Sequence, residues 1–174
     1  FMLRFGPLVD LTRSHLEELA EVAGRRSSEE ELEEDEEDAG VAIGWVSEQC
    51  MLRMLLGLLE LIKGSEACSG DNSAQQAIKE ASRAIKESGS NLSRMWAALS
   101  GLEPWLDLPE PLAPPVVNSR PVTRSDIRCG AVRVHIATSA QLVPVVEALI
   151  NAALTSPTIK EEIDEGTRVV KDAS

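Results

Sequence analysis

Met51 to Ile62 is the segment that most narrows what this chain can fold into. Within Val41 to Lys63 the residues Ile43, Trp45, Val46, Met51, Leu52, Met54, Leu55, Leu56, Leu58, Leu59, Leu61 and Ile62 are all apolar. Apolar side chains so dense leave no wholly polar face, so the segment reads as a helix buried on several sides, closed by Gly64 and Ser65. Arg53, Gly57 and Glu60 interrupt it, well short of the roughly 20 apolar residues that a membrane-spanning helix needs. Met51 and Met54 lie among leucines and read as core filler. A chain of 174 residues, 43% hydrophobic and 26% charged, has enough apolar material for one domain around such a helix. It begins at Phe1, already in mid-pattern at Leu3 and Phe5, which reads as a piece of a longer chain, and it shows no signal-peptide layout.

Other periodicities supply helices to pack around it. Leu8, Leu11, Leu16, Leu19 and Val22 predict an amphipathic helix over Leu8 to Val22, stopped by Gly24 with Arg25 and Arg26 behind it. Gly70-Asp71-Asn72-Ser73 reads as a loop capping a helix that begins near Ala74, with Ala77, Ile78, Ala81, Ala84 and Ile85 inward. Ser88-Gly89-Ser90-Asn91 breaks or kinks that helix, and Leu92, Met95, Trp96, Leu99 and Leu102 resume the stripe, giving two collinear helices or one bent one. Ser139 precedes a further helix over Ala140 to Leu154, whose apolar face is Leu142, Val145, Val146, Leu149, Ile150 and Ala153, with Pro144 in the first turn. Glu147 reads as the exposed rim of that helix. Ser156-Pro157 opens a short acidic helix ending at Gly166.

Two segments resist helix. Nine of the ten residues Glu29 to Asp38 are acidic and account for most of the net charge of −12. Such a run repels itself and buries nothing, so it reads as a disordered loop, with bait for a basic protein segment as the functional alternative. Six prolines, at 104, 109, 111, 114, 115 and 121, forbid persistent helix or central strand. The apolar Trp105, Leu106, Leu108 and Leu112 predict that the first part of this linker packs back on the body. Ala131 to Ile136 alternates like a strand but stands alone, and either an edge strand or a short helix fits it.

The fold class expected is therefore all-α: a stacked or solenoid-like helical segment with a disordered acidic loop and a proline-rich linker. Its parts are residues 1–103, helical with the acidic loop at about 25–40; 104–138, an irregular linker; and 139–174, C-terminal helices and tail.

No residue is singled out as catalytic, cofactor-binding or metal-ligating. Cys50, Cys68 and Cys129 form no CxxC pair, lie near no zinc-like histidine spacing and read as reduced thiols. His15 and His135 lie in no triad spacing, and Gly57, Gly64 and Gly70 belong to no phosphate loop. Lys and Arg are scattered, which disfavours a nucleic-acid surface. Trp45, Trp96 and Trp105 read as core anchors.

Three pieces occur in a suggestive order: Met51-Leu52-Arg53-Met54-Leu55-Leu56-Gly57-Leu58-Leu59; the box Leu92-Ser93-Arg94-Met95-Trp96-Ala97-Ala98-Leu99-Ser100; and Ala140-Gln141-Leu142-Val143-Pro144-Val145-Val146-Glu147-Ala148-Leu149. A leucine-rich helix, a Leu-x-x-Met/Leu-Trp-x-x-Leu-Ser box and a Leu-x-Pro-φ-φ-Glu-Ala helix in that order resemble the helical region upstream of the HECT domain in giant HECT-type ubiquitin ligases of the plant UPL and animal HUWE families. The resemblance spans about residues 41 to 150 and departs at Ile150-Asn151-Ala152-Ala153, where the family continues with aromatic residues. It implies a ligase that passes ubiquitin through a cysteine of its C-terminal domain; Cys50, Cys68 and Cys129 match no such nucleophile motif. On this reading the chain is a noncatalytic scaffold in a cytoplasmic and/or nuclear protein. Its partners are protein, including neighbouring helices of the same parent chain, with no nucleic acid and no membrane. The alternative is a free-standing acidic helical adaptor that binds a partner helix or a basic tail.

Overall fold

Helices account for most of the chain, and no strand occurs among the residues described by the computed structural model, 1–29, 45–112 and 136–172. The acidic run from Glu30 onward, the latter part of the proline linker and the alternating segment Ala131 to His135 lie outside the described residues.

The chain opens with α1 (Met2–Phe5) and a 3-10 turn over Gly6–Val9. The predicted helix over Leu8 to Val22 is corrected at both ends. Asp10 stands in the left-handed region at φ 55° and turns the chain, so α2 starts only at Arg13 and runs to Glu29. Gly24 does not stop it. A glycine offers a helix a way out without compelling it to leave, and a helical glycine costs only about 1 kcal/mol relative to alanine.

The long apolar segment forms α3 (Glu48–Lys63). Ser47 caps it by accepting the Cys50 N–H at 3.2 Å, and both the backbone N–H and the hydroxyl of Ser47 donate to the Glu18 carboxylate of α2. Cys50, Met51, Met54, Leu55, Leu58, Leu59, Leu61 and Ile62 are buried, covering about half of the helix circumference at 100° per residue. The helix packs against the Gly6–Val9 turn, against α4 (Asn72–Ser88) and against α6 (Val143–Ala153), which puts it at the centre.

Asp71 caps α4 by accepting from the Ser73 and Ala74 N–H groups at 2.8 and 3.3 Å, so the helix starts two residues earlier than Ala74. At its far end Gly89 takes φ +60°. Asn91 then caps α5 (Leu92–Ser100) by accepting the Arg94 N–H at 3.0 Å. The two helices are neither collinear nor one bent rod. Ala84 and Ala98 line the same shallow cleft, so α5 folds back along α4 as a helical hairpin. Leu92, Met95, Trp96, Leu99 and Leu102 are all buried in the common core.

Beyond α5 the chain folds back as expected at Leu106, which is buried, and at Trp105 and Leu108, which pack partly against the core. Leu112 departs from that expectation and is 52% exposed. It is fixed by its backbone instead: its N–H donates to the Gln141 carbonyl at 2.9 Å, and its carbonyl accepts from Gln141 Nε2 at 3.0 Å. The C-terminal helical unit also begins differently. Thr138, not Ser139, is the capping residue, and the first turn, Ser139–Leu142, is 3-10 before α6 takes over. The Gln141 side chain reaches back to the Ala137 and Thr138 N–H groups at 2.7 and 3.1 Å, holding that tight turn. After Ser156, α7 (Pro157–Asp172) passes through Gly166 instead of ending there.

Candidate protein-interaction surface

Chemistry-bearing side chains are dispersed among the described residues. Cys50 and Cys68 are buried free thiols. Burial, aided by the charge of Glu18, pushes Cys50 up to about 12, and burial also raises Cys68. A thiol held neutral is a poor nucleophile and metal ligand. Cys129 and His135 lie outside the described residues. His15 Nδ1 lies 3.0 Å from Thr12 Oγ1 at the start of α2, away from both cysteines in sequence. Glu147 is exposed. Among the described residues no group of three or more His, Cys, Asp or Glu is placed to hold a metal ion, and no single helix is long and apolar enough to cross a membrane.

The three tryptophans take different places. Trp96 is buried in the core at 8% exposure. Trp105 is half-buried, its Nε1–H donating to Asp71 Oδ2 at 3.1 Å. Asp71 thereby ties the start of α4 to the turn after α5, and the Ser73 N–H, the indole and the Ala74 N–H together hold its carboxyl below the usual range. Trp45 is half-buried and stands on the rim of an apolar cleft of about 320 Å³.

That cleft is walled mainly by apolar side chains. Phe1 with Met2 and Leu3 of α1 form one side, Leu19, Val22 and Ala23 of α2 another, and Trp45 with Ile150 of α6 complete it. Its walls come from parts of the chain more than a hundred residues apart. What brings them together is a buried polar clamp: the Val46 N–H donates to Ser139 Oγ at 2.8 Å, and the Ser139 hydroxyl donates to the Val46 carbonyl at 2.6 Å. One serine thus satisfies both backbone groups of the residue beside Trp45 and fixes the start of the helical unit that carries Ile150. Glu18 reaching Ser47 fixes α2 from the other side.

One large exposed apolar side chain, Leu3, lies on the wall of this cleft. Leu3 is 53% exposed on the cleft wall, Leu154 is 40% exposed one turn beyond Ile150, and Ile163 of α7 is 40% exposed. Ile163 lies three residues before Gly166, and Arg4 of α1 packs beside Gly166. Of the large exposed hydrophobics among the described residues, Leu3 lines the cleft. Isolated exposed leucines are ordinary, whereas Leu3 adds to an apolar cleft. Sequence reasoning placed Trp45 as a core anchor and assigned nothing to Phe1, Met2 and Leu3 beyond a chain in mid-pattern; their clustering follows from tertiary contacts that no local spacing encodes.

Comparison with family models, with curated proteins and with solved structures finds no match for this chain.

Proposed function

We propose that this chain is a noncatalytic helical scaffold segment of a HECT-type ubiquitin ligase, stacked in solenoid fashion against neighbouring helices of its parent protein. The observation that carries the reading is the order of the three sequence pieces around Met51 to Leu59, Leu92 to Ser100 and Ala140 to Leu149. Their helices supply a large part of one core. The apolar cleft at α1, α2 and α6 is the kind of face that stacked-helix proteins cover with the next element. A scaffold role also agrees with thiols that are buried and held neutral at Cys50 and Cys68.

The experiment is in two parts. Extending the reading frame past Ser174 is expected to reveal a HECT domain, and a stop codon soon after that residue would refute the assignment. Incubating the chain with ubiquitin-charged conjugating enzyme is expected to give no reducible ubiquitin adduct; an adduct lost on substitution of Cys50, Cys68 or Cys129 would overturn the noncatalytic role.

A second reading is supported by the cleft itself and by the charge of −12: an acidic helical adaptor whose partner is a separate protein helix.

A further inference from the structure

We infer that α7 is a hinged helix that leaves the body as one unit, pivoting at the Ser156–Pro157 junction while the core around α3 stays folded.

The inference starts from how little of α7 is buried. Between Pro157 and Arg168, Ile159 is buried and Gly166 half-buried, while the other residues are exposed. Among the described residues no other element packs along the length of α7, whereas α3 is enclosed by α4, α6 and the Gly6–Val9 turn. A lone helix of this length is marginal in water, and Gly166 in its interior weakens it further. Its place on the body therefore depends on a few attachments. Ile159 is fully buried in the common core. Lys160 Nζ pairs with Glu66 Oε1, but both side chains are more than half exposed, and an exposed pair adds little. The Arg4 guanidinium lies beside Gly166, close enough that an added Cβ would meet it at 3.1 Å. It also lies over the Phe5 ring of its own helix, a contact that does not need α7. Ile159 is thus the main anchor.

The junction with α6 is built to turn. The chain bends there by 73°. The Ser156 N–H and the Thr155 hydroxyl donate to the carbonyls of Ala153 and Ala152 at 2.9 and 2.8 Å, which closes α6. Beyond the junction, the Ile159 N–H donates to Ser156 Oγ and the Lys160 N–H to the Ser156 carbonyl, at 3.4 and 3.2 Å, which opens α7. None of these bonds ties a residue before Ser156 to one after it, and Pro157 has no N–H with which to do so. The helix can depart with its own cap intact. Departure uncovers the Ile159 socket on the body and frees Ile159 and Ile163, four residues apart on one face, as an apolar stripe that the docked surface does not present. Segments held by few buried contacts open at a lower free energy than the core.

The test is native-state hydrogen exchange on the full chain, read amide by amide by NMR. Protection across Ile163 to Arg168 is expected to be uniform and at least about a hundredfold lower than that of Leu55 to Leu59 in α3. Ile159→Val weakens the docked state and is expected to speed exchange throughout α7 by about two- to tenfold. Ile85→Val, in the second half of α4, removes a contact kept when α7 departs, so it is expected to speed exchange in α3 by about two- to tenfold and leave α7 unchanged. Glu66→Gln is expected to change α7 exchange by less than about threefold. Equal protection in α7 and α3, or equal acceleration of both by Ile85→Val, would show that α7 opens only with the whole core and overturns the inference. A protection gradient falling from Ile163 toward the end of α7, or α7 exchange indifferent to Ile159→Val, overturns unit departure in favour of fraying. Exchange of α7 in the parent chain at the rate of an unfolded peptide overturns the docked helix from which the inference starts.

Discussion

Gly57 sits in the middle of α3, where helix propensity alone says alanine is better by about 1 kcal/mol. The packing says the reverse. A Cβ added at Gly57 would stand 2.5 Å from Val9 Cβ and 2.7 Å from Val9 Cα, with the Val9 carbonyl oxygen nearer still. Two of those three atoms are backbone and cannot rotate aside, so the Gly6–Val9 turn would have to lift off the central helix. Overpacking of this kind costs about 1–3 kcal/mol, and the upper end applies where backbone must move. Net of the propensity gain, Gly57→Ala is expected to destabilise the chain by about 2 kcal/mol, a fall in melting temperature of about 4–8 °C for a chain of this size. Urea unfolding followed by tryptophan fluorescence reads the change. Gly24→Ala in α2 is the matched control: a Cβ there meets nothing within 4 Å, so the same substitution is expected to stabilise by up to about 1 kcal/mol. Val9→Ala leaves the backbone contact in place and is not expected to rescue Gly57→Ala. If Gly57→Ala proved as stable as the parent, the close approach of the turn to α3 would be wrong and the glycine would need another explanation.

Ser139→Ala strands the buried N–H and carbonyl of Val46; at about 1–3 kcal/mol for each orphaned group it is expected to cost about 2–6 kcal/mol and to speed hydrogen exchange at the Val46 amide, and a loss below about 1 kcal/mol would contradict the clamp. The Asp71 carboxyl is held below its ordinary value by the Ser73 N–H, the Trp105 indole and the Ala74 N–H, so its stabilisation is present above the unfolded-state pKa of about 4 and is lost as pH falls through the lower folded value. Asp71→Asn keeps an acceptor but cannot ionise, and is expected to flatten that acid limb of the stability profile; an unchanged limb would show that other carboxylates dominate it. Cys50, pushed up to about 12, and Cys68, also raised, are expected to resist iodoacetamide at pH 8 in a Cys129→Ser background and to react once urea is added; alkylation of either at the rate of a free thiol in the folded chain would refute their burial. With folded values above the unfolded ones, both thiols also lower stability as pH rises beyond about 8.5, where only the unfolded chain ionises readily.

Much of the helical content was legible because apolar spacing reports burial directly. Ile78, Ala81 and Ile85, or Leu92, Met95, Trp96 and Leu99, recur at helical intervals, and all of them are buried. Capping chemistry was legible in kind: Ser156 stands where its sequence placed it, Asp71 caps α4 two residues before the expected start, and Asn91, read only as part of a break, caps α5. Glycine was the unreliable signal. Gly24 and Gly166 lie inside helices, Gly64 follows the last residue of one, Gly89 takes positive φ between two, and Gly57 makes room for another segment. Local sequence is similar in these cases because the deciding contact, Val9 against Gly57 or Arg4 beside Gly166, comes from elsewhere in the chain.

The polar clamps explain why the surface was harder to read than the core. Ser139 and Gln141 are uncharged, common residues in a stretch read as a helix start, and neither carries a motif. Each is almost fully buried, and together they hold the backbone of Val46, Leu112, Ala137 and Thr138. A buried polar group must be satisfied, so once tertiary packing placed these two side chains inside, their hydrogen bonds fixed where distant segments meet. Trp45 is brought beside α6 by that requirement, and the cleft exists because it is. The apolar pattern therefore specifies which helices form the core, while two polar side chains with no signature of their own determine where distant segments of the chain meet.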